Sequence, residues 1–195
     1  MRAAALALLL LALCVGAARA DGDPASDYLY TQKVFVPFDV KVPKAQQQAL
    51  TETIEGANKA GYPIRVAVIG SAYDLGAVPS LWKKPQTYAR FLGAELAFVY
   101  KGPLLIVMPN GFGFHWQGHK TAHEQQVLEG VRGENLVDTA TNAVRALASD
   151  AGVQVQEAKP KQSTATRDRI VIVVAAVALI ALALVVRELL RRRRA

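Results

Sequence analysis

Two uninterrupted apolar stretches bracket a long middle portion in which apolar residues recur at regular intervals. Within that middle, Lys33 to Val36 reads as a short strand closed by Pro37, and Pro43 opens a helix at its first turn. Ala45, Ala49, Leu50, Ile54 and Ala57 then repeat at helical spacing until Gly61 stops the pattern. Ile64 to Ile69 is a β-branched run between Pro63 and Gly70, which predicts a buried strand. Ser71 to Pro85 predicts a loop, and Tyr88, Phe91, Leu92, Leu96 and Val99 mark a second amphipathic helix. Leu104 to Met108 is the most apolar strand candidate and belongs in the centre of a sheet. Asn110-Gly111 is the favoured pair for a type I′ turn, and beyond it Phe112, Phe114 and Trp116 alternate with Gly113, His115 and Gln117. Leu104 to Gln117 therefore predicts an antiparallel hairpin. Thr121 to Val131 reads as helical through Val127, Leu128 and Val131; Leu136, Ala140, Ala143, Val144 and Leu147 mark a further helix ending near Gly152. Val153 and Val155 predict a short edge strand.

The pattern as a whole predicts a small α/β domain over residues 33–156: a sheet of about four strands with an antiparallel hairpin, packed by helices. Residues 21–32, polar and proline-containing at their start, are expected to be a disordered N-terminus, and residues 157–168 a polar linker.

The two apolar stretches read as targeting segments. Arg2 precedes the uncharged run Ala3 to Gly16, and Ala18-Arg19-Ala20 places small residues where signal peptidase requires them, so residues 1–20 are expected to be a signal peptide cleaved after Ala20. Cys14 in a lipobox is disfavoured by Leu13, where a small residue is usual. As the one cysteine, Cys14 would leave with the signal peptide, which excludes disulfides, thiolate metal sites and a cysteine nucleophile from the mature chain. Ile170 to Val186 contains 17 residues without a polar side chain. As a helix it spans about 25 Å, and Arg169, Arg187, Leu189 and Leu190 extend it to bilayer thickness. Residues 169–190 are therefore expected to be a transmembrane helix. Arg191 to Arg194 then form, with Ala195, a basic tail held in the cytoplasm by the positive-inside rule. The expected localisation is the cell membrane, single-pass, with the domain extracytoplasmic. No LPxTG element precedes the helix, which argues against sortase processing.

The formal charge of +7 changes meaning once it is located. From Asp21 to Arg167 there are 15 basic and 14 acidic residues, so the domain is near neutral and the excess flanks the apolar segments. A nucleic-acid-binding domain would carry its basic residues on the folded part, so nucleic acid is not an expected partner.

The strand Ile64-Arg65-Val66-Ala67-Val68-Ile69, the helix start Tyr88-Ala89-Arg90-Phe91-Leu92 and the strand entry Lys101-Gly102-Pro103-Leu104-Leu105-Ile106-Val107 together resemble the TPM domain family over roughly Lys33 to Ala148. These are exported or lumenal α/β domains, often followed by one C-terminal membrane helix. The resemblance implies one of two activities: accessory or assembly work for a membrane complex, or metal-dependent phosphatase activity with calcium binding. The segment His115-Trp116-Gln117-Gly118-His119-Lys120 departs from the valine-glycine-rich stretch usual there, and the chain is poor in paired carboxylates.

Candidate chemistry is sparse. His115, His119 and His123 are spaced four apart, which on one continuous helix would put three imidazoles on a face suited to Zn²⁺, with Glu124 in reserve. Gly118 interrupts that helix, and His115 belongs to the hairpin strand. Asp39 and Asp74 would form a site for a divalent cation, Ca²⁺ or Zn²⁺, if the fold joined them. Gly111-Phe112-Gly113 lacks the third glycine of a dinucleotide fingerprint, and Ser71 has no G-x-S-x-G around it. The loop after the second strand carries Tyr73, Asp74, Trp82, Lys83 and Lys84 at a strand end, where ligand sites of α/β sheets gather. The expectation is a membrane-anchored extracytoplasmic interaction or accessory module for a membrane or cell-envelope complex, bacterial in origin, with a protein partner in the membrane or envelope. A divalent-metal-dependent phosphatase and a metal-binding sensor are the alternatives.

Overall fold

The computed structural model describes residues 22–37 and 42–155. The signal peptide, linker, transmembrane helix and basic tail expected from sequence, and Asp39, lie outside the described residues. Among the described residues no helix is long and apolar enough to cross a membrane.

The order is α1 (Pro24–Thr31), β1 (Val34–Phe35), α2 (Lys44–Lys59), β2 (Arg65–Val68), two short 3-10 turns (Ala72–Leu75 and Pro79–Leu81), α3 (Pro85–Glu95), β3 (Leu104–Met108), β4 (Gly111–His115), α4 (Ala122–Leu128) and α5 (Leu136–Asp150). The four strands lie side by side in chain order. β1, β2 and β3 are parallel, and β3 pairs antiparallel with β4. This is the mixed four-stranded α/β sheet expected from the pattern.

All five residues of β3 are buried. Alternate side chains serve opposite faces, so β2 and β3 feed two cores. Val66, Val68, Leu105, Val107 and Phe114 pack with Leu50 and Ile54 of α2 and with Val137, Ala140, Val144 and Leu147 of α5. Ala67, Ile69, Leu104, Ile106 and Met108 pack on the other face with Leu29 of α1 and Tyr88, Leu92 and Leu96 around α3.

The helices α2 and α3 thus cover opposite faces, although β1, β2 and β3 step in one direction across the sheet. Two crossovers that step the same way over opposite faces have opposite hands. One of them is therefore left-handed, against the strong right-handed preference of parallel strand connections. The helix that follows β1 and the helix that follows β2 therefore lie on opposite faces of the sheet.

Four expectations are corrected. The N-terminal segment is not disordered: Pro24–Thr31 is a helix with Ala25 and Leu29 fully buried. Asp23 caps it by accepting a hydrogen bond from the Ala25 N–H, and Pro24 occupies the first turn, where its missing N–H costs nothing. The hairpin turn is Pro109-Asn110, because Met108 pairs with Gly111. Proline holds φ negative, so a type I′ turn is excluded, and Gly111 takes the positive φ of 137° at the start of the return strand. Val153 and Val155 form no strand; they lie half-buried against the α2–α5 core. The helix expected to reach Val131 ends at Leu128, and Val131 packs from a turn instead.

The α3 helix lies against β4 so closely that a Cβ at Gly113 would collide with the Pro85 carbonyl, and one at Gly93 with the His115 ring. Leu29→Ala tests whether α1 belongs to the core. Removing a fully buried leucine should cost about 2–5 kcal/mol, read as a lower urea midpoint at unchanged m-value. A disordered segment would show no change.

Candidate functional site at the carboxyl edge of the sheet

β2 leaves the sheet through Ile69-Gly70 into the first 3-10 turn. Asp74 Oδ2 accepts hydrogen bonds from the backbone N–H groups of Gly70 (2.8 Å) and Ser71 (2.7 Å), and the residue is 8% exposed. Its carboxylate therefore builds the turn rather than facing a ligand. Gly76 closes the turn with φ 48°, and a side chain there would collide with the Gly22 carbonyl before α1. This locked segment presents Tyr73 at 91% exposure.

The second 3-10 turn delivers Trp82, Lys83 and Lys84. Trp82 is half-buried against the α1–α3 core, the packing role rather than an open platform. Lys83 has φ 59°, a left-handed backbone that a lysine adopts at a steric cost. Its carbonyl accepts from Asn110 Nδ2 at 2.7 Å, so the loop is tied to the hairpin turn. Lys83 and Lys84 are both exposed. Across the hairpin turn lies an open cleft of about 460 Å³ lined by Asn110, Phe112, Arg132, Asn135 and Thr139 among others. A second cleft of about 280 Å³ adjoins it through Gly111, Phe112 and Arg132 and adds Gln86 and Gln125. Lys83, Lys84 and Arg132 thus put three exposed cations around one turn.

Beneath this edge is a pair that sequence reasoning passed over. Asp23 is 6% exposed, and the Tyr88 hydroxyl lies 2.8 Å from each of its carboxylate oxygens. Burial pushes the Asp23 carboxyl up from 3.8 to about 6, against the lowering effect of the Tyr88 and Ala25 hydrogen bonds. Burial, then the Asp23 charge and hydrogen bond, then Asp74 push the Tyr88 phenol well above its ordinary value. The available signal was local: an aspartate directly before a proline and an apolar i, i+4 pair, Ala25 and Leu29, is a helix start.

The histidines are separated. His115 points to the α3 face, beside Gly93, where burial and then Arg90 lower its pKa. His119 stacks on Trp116 with ring centroids 4.1 Å apart, and Trp116 belongs to the opposite face. His123 Nε2 lies 3.0 Å from Asp150 at the end of α5. The strand carrying His115 cannot share the helical face that the spacing invited. Among the described residues no three His, Cys, Asp or Glu side chains converge in a way that could hold a metal ion. Asp74 spends its oxygen on the turn, and its expected partner Asp39 lies outside the described residues.

These features define a three-layered α/β domain, with helices on both faces of one sheet and an exposed tyrosine at its carboxyl edge. No protein-family model, curated protein or solved structure matches the chain.

The Asp23 environment gives a pH dependence with a defined sign. The folded state holds the Asp23 proton more tightly than the unfolded chain, so its contribution to stability is full below pH 3.8 and falls as pH rises to about 6. Asp23→Asn retains an acceptor for Tyr88 and removes the titration. Thermal unfolding of both proteins across that range should show the variant gaining relative to the parent as pH rises. A difference independent of pH would mean that Asp23 titrates normally.

Proposed function

We propose that the chain is a TPM-like, membrane-anchored extracytoplasmic module whose carboxyl edge docks a protein partner of a membrane or envelope complex. The anchor rests on the apolar run Ile170 to Val186 and the arginines beyond it. The family resemblance is supported by the element order and by the parallel strands ending in an antiparallel hairpin. The observation that carries the docking role is Tyr73. A large aromatic side chain 91% exposed on a turn locked by a buried carboxylate is a pre-organised anchor. Amphipathic aromatic residues contribute contact area at low entropic cost, and the surrounding Lys83, Lys84 and Arg132 add polar and charged rim contacts.

A divalent-metal-dependent phosphatase is the second reading. Its support is the placing of two buried carboxyls, Asp23 and Asp74, near the same Tyr88 hydroxyl under the carboxyl edge. The third reading, a metal sensor using Ca²⁺ or Zn²⁺, predicts a rise in melting temperature on adding either ion, since a ligand of the folded state stabilises it.

A photoreactive phenylalanine at position 73, in the full chain in its own membrane, should give a discrete crosslinked protein that the same probe at exposed Ala77 gives weakly or not at all. Absence of a crosslink at 73, together with metal-dependent hydrolysis of a phosphate ester that Asp23→Asn abolishes, would replace the docking reading with the enzymatic one.

A further inference from the structure

The opposite end of the domain carries a feature that partner docking at the carboxyl edge does not use. Helices α2, α3 and α5 run antiparallel to the strands they connect or cover, so their C-termini gather at the amino edge of the sheet. The chain leaves the domain there. Val153 and Val155 follow α5, and a Cβ at Gly56, in the last turns of α2, would touch the Val155 side chain. The sequence then allots 14 residues, 156–169, before the apolar run beginning at Ile170.

At this same edge, immediately beyond α3, Phe98 is 98% exposed and Val99 37% exposed. Phe98 is the most exposed of the large apolar side chains, and nothing among the described residues covers it. Tyr100, two positions on, is tied inward by hydrogen bonds from its hydroxyl to the Pro63 and Pro103 carbonyls and by the Arg65 guanidinium 4.2 Å from its ring centre. The Phe98-Val99 tip therefore stands on a fixed base. Around the same edge Lys59, Lys101 and Lys120 are exposed, as is Lys33. Four acidic groups stand at this edge as well. Asp150 is engaged by His123, Glu124 is half-buried, Glu55 lines a shallow pocket with Lys33, and Glu95 is open.

We infer that the amino edge is a membrane-apposed face: the Phe98-Val99 tip enters the headgroup region of the bilayer to which the chain is tethered, and Lys59, Lys101 and Lys120 meet anionic lipid headgroups. Charge alone does not select this edge, because Lys83, Lys84 and Arg132 lie at the other. The selection comes from three facts together: the exit of the chain, the unpartnered aromatic tip and the lysines beside it. An interfacial aromatic flanked by lysines is the composition that partitions to a bilayer surface. The short segment keeps the domain within about 50 Å of the membrane even when fully extended, so a weak surface contact acts at high effective concentration. The occupant is the lipid surface rather than a second protein, because the tether delivers that surface to this edge continuously.

The inference rests on the proposed membrane anchor, and one experiment separates the two. The full chain carrying Cys14→Ser and either Phe98→Cys or Tyr73→Cys is labelled with an environment-sensitive fluorophore and reconstituted into vesicles of phosphatidylcholine with or without phosphatidylglycerol. Both positions are exposed, so neither substitution disturbs a core. The label at 98 should be quenched several-fold more by headgroup spin-labelled lipid than the label at 73. The difference should grow with phosphatidylglycerol and collapse in the combined Lys59→Glu, Lys101→Glu, Lys120→Glu variant. A chain that floats with the vesicles after alkaline extraction but shows equal quenching at both positions overturns the apposed face and leaves the anchor standing. A chain that does not float overturns the anchor, and the apposed face with it. Quenching at 98 indifferent to lipid charge and to the lysine reversals overturns the electrostatic half of the inference.

Discussion

Everything in this fold follows from the need to keep β3 dry on both sides. Leu104 to Met108 offers water no face, so helices must cover the sheet front and back. α2 and α5 supply one cover, α1 and α3 the other. Because the parallel strands advance in one direction, covering both faces with successive crossovers requires crossovers of opposite hand. The left-handed one is uncommon, and the burial of two faces of β2 and β3 offsets its cost. The same requirement places the helices after β1 and β2 on opposite faces of the sheet.

Elements with a strong period are legible in the sequence itself. The fully apolar run Leu104 to Met108 and the alternation through Phe112, Phe114 and Trp116 specified the hairpin and the interior position of β3, because period and burial are one signal there. What failed was chemistry of one or two residues. Asn110-Gly111 is a favoured turn pair, yet Pro109 shifted the turn back by one residue through its fixed φ. Residues 21–32 looked too polar to fold, but α1 needs only Ala25 and Leu29 inward, and its first turn is written in Asp23 and Pro24. The site was half legible. The loop carrying Tyr73, Asp74, Trp82, Lys83 and Lys84 does lie at the carboxyl edge. Which of these side chains point out and which hold the turn depends on contacts between segments about 50 residues apart, such as Gly22 with Gly76, and no local pattern encodes those.

The pairing of Asp23 with Tyr88 shows the same long-range dependence with an energetic consequence. A helix cap is served as well by Asn or Ser as by Asp, and an uncharged cap escapes the desolvation that lifts the Asp23 pKa to about 6. What the carboxyl adds is a second acceptor oxygen: both oxygens sit 2.8 Å from one phenol while one also receives the Ala25 N–H. The group joins α1 to α3 across 65 positions of sequence, directly under the turn that displays Tyr73. Rigidity at the carboxyl edge thus depends on a buried acid that is costly to ionise.

On the proposed topology the two edges have different roles. The three parallel strands run from the amino edge, near which the described chain ends at Val155, to the carboxyl edge, where Tyr73 stands. A tether of 14 residues fixed at one edge biases that edge toward the bilayer and the other toward the aqueous space where a partner would approach. If Phe98 also holds the bilayer, the domain loses most of its rotational freedom before any partner arrives, and the entropy of orienting Tyr73 has already been lost when binding begins. A stiff turn at one end is useful only if the other end is held. The locked loop around Asp74 and the exposed Phe98 tip are, in that sense, two requirements of a single orientation.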